Sequence, residues 1–158
     1  VFGGCGGAVA YRRRLLEEIG LIDESFFLSC EDVDLAWRAQ LAGWRCIYVP
    51  TAIVYHHLSA TGGGATASYY TGRNTIWVLA KDVPGPLLCR HWVSMLRAQA
   101  RIAADALKAW RGEAARARLR GQLAGLFGLP GVLRRRRAIQ ATRRVSVEEL
   151  AALLERRP

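Results

Sequence analysis

Residues 31–50 read EDVDLAWRAQLAGWRCIYVP, and this stretch decides how the chain folds. Glu31, Asp32 and Asp34 open it, and carboxylates in a first helical turn complement the positive end of the helix dipole. The pattern predicts a helix from about Glu31 to Ala42, which Gly43 stops. A β-prone run, Arg45–Val49, follows and is closed by Pro50; a second, Ala52–His57, comes directly after. Upstream, Arg12–Ile19 reads as a short helix with Leu15, Leu16 and Ile19 on one face and Gly20 as its stop. Between the two helices, Leu21–Ser29 is a loop carrying Asp23, Glu24, Phe26 and Phe27. The chain opens on a glycine-rich run, Gly3-Gly4-Cys5-Gly6-Gly7, and a β-prone Ala8–Tyr11.

Beyond the break at Gly62–Gly64 the character changes, and residues 69–158 read as a basic helical tail appended to a mixed α/β piece over 1–68. Pro84 and Pro86 precede a helical pattern over Leu87–Arg111. Leu88, Trp92, Leu96, Gln99, Ala103, Leu107 and Trp110 fall on one of its faces, with Arg90, Arg97, Arg101 and Lys108 opposite. A further helix is predicted over Glu113–Phe127, broken by Pro130-Gly131, and the run Arg134–Arg137 follows. Ser146-Val147-Glu148-Glu149 fits a capping box and starts a last helix through Glu155.

The charge divides the same way. Residues 1–80 carry 6 Arg against 7 acids, a net −1, whereas residues 81–158 carry 15 Arg and 2 Lys against 6 acids, a net +11. An anionic partner, if the charge serves one, belongs to the second half. At 158 residues and 51% hydrophobic composition the chain can bury a core without disulfides or a structural metal, and disordered and collagen-like classes are excluded. Cys5, Cys30, Cys46 and Cys89 form no CxxC pair and match no zinc spacing, so they read as reduced thiols. The uncharged stretch Cys46–Gly72 is interrupted by Pro50, His56, His57 and three glycines, and Gly121–Leu133 is too short to span a bilayer. The start at Val1 carries no basic segment of a signal peptide and reads as the middle of a longer protein.

Each candidate site residue has a structural and a functional reading. Glu31, Asp32 and Asp34 cap a helix, or one of them points into a cleft as a general base. Arg38 stands four residues after Asp34, the spacing of a helical ion pair. His56 and His57 end a strand as hydrogen-bonded structure, or one of them enters a site as a metal ligand; neighbours on a strand point to opposite faces, so both cannot. Gly3–Gly7 is a tight loop, or a place where backbone approaches a ligand closely.

An ordered series over about 55 residues resembles the C-terminal half of the catalytic domain of family 2 glycosyltransferases, in their bacterial rhamnosyltransferase-like branch. It comprises Ile22-Asp23-Glu24, Phe26-Phe27, Glu31-Asp32-Val33-Asp34-Leu35, Trp37-Arg38, Gly43-Trp44-Arg45, Val49-Pro50 and Val54-Tyr55-His56. Arg73-Asn74, Lys81 and Arg137–Leu153 extend the likeness into the tail. The resemblance implies the acceptor-side half of a GT-A, Rossmann-like α/β domain followed by basic amphipathic helices. It implies inverting transfer of a sugar from a nucleotide-sugar donor to a saccharide or lipid-linked acceptor, in bacterial cell-surface polysaccharide or glycolipid synthesis. Asp32 takes the role of general base with Glu31 beside it. His56 takes that of a ligand to a divalent ion, Mg or Mn, and Gly6, Gly7, Trp37 and Arg73 fall to substrate binding. The family's βαβ nucleotide region and its Asp-x-Asp motif find no match before residue 32, so this chain is expected to be an inactive fragment when isolated.

For the tail, an anionic membrane surface is favoured over packing on its own domain, which places the chain in the cytoplasm at the inner face of the plasma membrane. A non-catalytic basic module for nucleic acid is the alternative; it is disfavoured because Trp92 and Trp110 sit on the apolar face rather than among the arginines.

Overall fold

A computed structural model describes residues 1–56 and 63–155. Its helices are α1 (Arg13–Ile19), α2 (Glu31–Leu41), α3 (Gly64–Lys81), α4 (Gly85–Lys108), α5 (Glu113–Phe127), α6 (Leu129–Ala141) and α7 (Val147–Glu155), with a 3-10 turn at Glu24–Phe26. The expected strands do not form among the described residues, where the only β pairing is an isolated antiparallel bridge between Cys5 and Ala8. Residues 45–49 and 52–56 run outside any ladder, with Ile47, Tyr48, Val49, Ile53, Val54 and Tyr55 exposed. Local β propensity is present, but a strand exists only where a neighbour supplies its hydrogen bonds, and no described segment does so here. His57 lies outside the described residues.

The helices at the start and end of the chain behave as read. Gly20 and Gly43 adopt positive φ beyond α1 and α2, which a residue with a Cβ adopts at a cost. Ser146 caps α7 reciprocally: its hydroxyl accepts from the Glu149 amide at 3.1 Å, and Glu149 Oε2 accepts from the Ser146 amide at 2.8 Å. Three readings change. α3 was not anticipated, and the division placed at residue 68 lies within it. The long helix α4 stops at Lys108 rather than Arg111. Pro130 opens α6 instead of breaking it, because a proline in a first turn lacks only an amide hydrogen that would have no helical partner.

One core joins both halves of the chain. Phe26, Trp37, Leu41, Val78, Val83, Leu87, Leu150 and Ala151 bury against one another, drawing in the 3-10 turn, α2, α3, α4 and α7. Phe2 adds an edge-on ring contact with Trp37 at 4.7 Å. α3 lies along α5 at backbone contact: a Cβ added to Gly121 would stand 2.0 Å from the Tyr69 carbonyl oxygen, and only glycine allows that approach.

Beneath this core lies a network of charges. Lys81, 1% exposed, pairs through its Nζ with Asp23 Oδ2 at 2.7 Å and with Asp34 Oδ1, and sits over the Phe26 ring. Arg38 binds Asp34 Oδ2 at 2.9 Å across one helical turn and donates to the carbonyls of Ile19, Gly20 and Leu21, tying the end of α1 to α2. From α6, Arg135 donates to both oxygens of Asp23 and to the Ser25 hydroxyl. Arg136 and Gln140 hold the carbonyls of residues 80–83. Burial tends to raise the Asp23 pKa, but hydrogen bonds from Lys81 and Ser25 and the charges of Lys81 and Arg135 outweigh it and bring it to about 2.

Asp82 is the opposite case. It is fully buried, and no donor reaches either of its carboxyl oxygens. Burial, and then the adjacent negative charge of Asp34, push its pKa up to about 9, so it holds a proton that it can share with Asp34. The unfolded chain ionises Asp82 above a pH of about 4, and the folded chain does so only near 9. The stability this group contributes is therefore full below about pH 4 and is lost as pH rises toward 9. Asp82→Asn keeps a donor for Asp34 and removes the titration. The variant should gain at least about 1 kcal/mol on the wild type between pH 5 and pH 8, measured by urea unfolding. Parallel pH profiles for the two proteins would contradict a protonated Asp82.

Candidate active site

The loop before α2 is contorted. Phe27, Ser29 and Cys30 all have positive φ, at 59°, 65° and 66°, and none is glycine. Such residues persist only where surrounding contacts fix them, and they gather at functional sites. The contacts here come from α3. Asn74, fully buried, donates through Nδ2 to the carbonyls of Phe26, Leu28 and Ser29 at 2.7–2.9 Å. Arg73 donates to the carbonyls of Ser25 and Phe26 and stacks over the rings of Tyr70 and Trp77. The loop delivers the chain into α2 with Glu31 and Asp32 at its first turn.

There the glycine run meets them. The Gly6 amide donates to Asp32 Oδ2 at 2.9 Å, and the Val33 amide donates to Oδ1 at 2.8 Å. A Cβ on Gly6 would lie 3.5 Å from Asp32 Oδ2 and 3.6 Å from Glu31 Oε1; one on Gly7 would lie 2.9 Å from His56 Cδ2. Gly6 thus lies against the Glu31 and Asp32 carboxylates, and Gly7 against the His56 imidazole. Asp32 is half-buried and His56 exposed, so the group opens to solvent. Glu31 Oε2 is buried with no hydrogen-bond partner. Tyr11 stands near: its hydroxyl pKa is raised, first by burial and then by the negative charge of Asp32. Burial also raises the Cys30 thiol, which argues against a nucleophilic cysteine at the head of α2.

Two assigned substrate contacts are placed elsewhere. Trp37 is buried in the core against Phe2, because its position on α2 turns it inward, and it has little surface to offer a ligand. Arg73 spends its guanidinium on the loop carbonyls and on Asn74, which makes it a brace for the loop. The residue that the sequence reading leaves without a role is Asn74, next to Arg73. The divalent ion implied by the resemblance does not find a complete donor set: among the described residues no three His, Cys, Asp or Glu side chains converge to hold one. A groove of about 1030 Å³ lies between residues 1–12, the glycine run included, and residues 44–54.

A helix-start carboxylate is thus held by an amide of the glycine run, with an imidazole beside the next glycine. Comparison with known proteins gives the class: the family described as Glycosyltransferase like family 2 matches residues 2–80, half of the chain, and the protein belongs to that family. Similar curated proteins are the N-acetylglucosaminyl-diphospho-decaprenol L-rhamnosyltransferases of Mycobacterium tuberculosis strains CDC 1551 / Oshkosh and ATCC 25618 / H37Rv. Each is 41% identical over 64 residues, covering 40% of this chain and 21% of the relative. The chain thus spans about a fifth of the length of these relatives. No solved structure matches.

Asn74→Ala removes the donor to three carbonyls in a buried, strained loop. It should destabilise the fold by about 2–4 kcal/mol in urea unfolding. A loss below about 0.5 kcal/mol would show that the loop holds its conformation without α3.

Proposed function

We propose that this chain carries the acceptor side of an inverting glycosyl transfer. The observation that carries the proposal is the pinned carboxylate: amides of Gly6 and Val33 fix the two oxygens of Asp32 at 2.9 and 2.8 Å, while the group stays open to solvent. An acceptor hydroxyl placed against Asp32 gives up its proton to the carboxylate as its oxygen bonds to the anomeric carbon of a nucleotide sugar. The bond from that carbon to the diphosphate breaks on the opposite face, and the nucleoside diphosphate leaves with the electron pair. Gly6 and Gly7, without side chains, let the acceptor approach. Glu31 lies beside the base, with its Oε2 buried and without a hydrogen-bond partner. For a divalent ion this chain offers His56.

The fold reading follows the same line. Residues 45–49 and 52–56 are β-prone and outside any ladder, which suits strands of a GT-A sheet whose neighbours lie elsewhere in a complete catalytic domain. The Mycobacterium relatives are L-rhamnosyltransferases named for N-acetylglucosaminyl-diphospho-decaprenol, a saccharide on a lipid diphosphate. We extend the acceptor class, a saccharide carried on a lipid diphosphate, to this chain, together with a place in bacterial envelope polysaccharide synthesis at the cytoplasmic side of the membrane.

In a full-length protein containing this chain, Asp32→Asn keeps the shape of the carboxylate but cannot take the proton. It should lower kcat by about 10²–10⁴-fold with donor affinity nearly unchanged. Glu31→Gln should do much less. If Asp32→Asn remains active while Glu31→Gln is dead, both being folded, the base is Glu31 and the assignment fails.

A further inference from the structure

We propose that the exposed flank of α4 is a docking surface for an anionic lipid bilayer. The helix has two sides. One is packed: Leu87 and Ala106 are buried, Leu88 and Met95 lean on the core, and Gln99 accepts from Gln122 of α5. The other flank leaves large apolar side chains in water. Trp92 is 57% exposed, Leu96 60% and Leu107 59%, with Val93 beside them and Trp110, 59% exposed, in the turn beyond. The apolar face read from the sequence is thus split between core and solvent.

The exposed apolar side chains border a line of cations. At 100° per residue, Trp92, Val93, Leu96 and Leu107 fall within about 100° of one another, and Arg90, Arg97, Arg101 and Lys108 within about 40°, starting about 40° past Val93. All four cations are exposed. The one acid of α4, Asp105, lies beyond them and pairs with Lys108 at 3.4 Å. From Arg90 to Lys108 the line runs about 27 Å at 1.5 Å per residue.

Charge complementarity selects the occupant. A bilayer with anionic headgroups satisfies both stripes at once, the apolar side chains entering the acyl boundary and the guanidinium groups meeting phosphate. A second copy of the chain would bring like-charged stripes together. A nucleic acid would meet the arginines but leave Leu96 and Leu107 unused. No described helix is long and apolar enough to cross a membrane, so the contact is interfacial. The proposal stands on α4 alone and does not require the transfer reading.

The test is co-sedimentation of the whole 158-residue chain with vesicles of phosphatidylcholine, or of phosphatidylcholine and phosphatidylglycerol at about 3:1. Affinity for the anionic vesicles should be at least about 10-fold higher and should fall steeply as salt rises. Arg97→Gln with Arg101→Gln should lower affinity for anionic vesicles by about 5-fold per charge. Trp92→Ser with Leu96→Ser should lower it by at least about 10-fold, with the helical circular dichroism retained. Asp32→Asn should bind vesicles like the wild type, which separates this surface from the catalytic reading. Four results would overturn the proposal: equal binding to both vesicle types, no effect of either α4 double variant, binding to a single-stranded RNA oligomer but not to vesicles, or self-association abolished by Trp92→Ser with Leu96→Ser.

Discussion

Lys81 is the residue on which the rest of the molecule turns. It is buried at the end of α3, between a carboxylate from the loop before α2, Asp23, and one from α2 itself, Asp34. An ammonium group in such a place is tolerable only because two carboxylates meet it, with Arg38 and Arg135 bound to the same acids. Lys81 is the member common to both acids, and breaking a buried ion pair by removing one partner commonly costs about 3–5 kcal/mol. The network therefore fixes the distance between α2, α3 and α6, and with it the path of residues 23–30. That path includes three non-glycine residues at positive φ and ends at Asp32. The arginines of α6 are not all a solvated face: Arg135 and Arg136 are built into the support of the site.

Much of this was legible in the residues. The acids at the start of α2, its glycine stop and the four-residue step from Asp34 to Arg38 dictate a helix and an ion pair whatever surrounds them. The capping box at Ser146 is equally local. The assembly of Asp32, Glu31, His56, Gly6 and Gly7 was legible only through the ordered series that resembles family 2 glycosyltransferases, because nothing in their spacing says that residue 6 meets residue 32. Asn74 and Lys81 escaped as structural keys. A polar residue inside a helix looks the same in sequence whether it faces water or three carbonyl groups, and only the packed neighbours decide. Trp37 was misassigned for the same reason.

The expected strands do not form among the described residues for another reason. Val49, Ile53 and Val54 have the β-branched side chains that a pleated surface favours. A ladder, however, belongs to two segments, and propensity describes one. The long helix α4 was read as having one apolar face, although its apolar arc is wider than the core can cover. Part of it packs and part remains in water beside the arginines. That remainder, rather than the total charge of the second half, is what distinguishes an interfacial helix from a merely basic one.

The central claim is that the basic second half of the chain holds the loop that places Asp32. Amide hydrogen exchange on Arg135→Gln tests it most directly, since Arg135 reaches Asp23 and Ser25 from α6 and touches neither Asp32 nor Gly6 through any hydrogen bond. The account predicts faster exchange at Phe26 and Phe27 in the loop, and at the Gly6 amide that binds Asp32, with the amides of α5 unchanged. Wild-type protection at Phe26, Phe27 and Gly6 in a folded Arg135→Gln chain would contradict it.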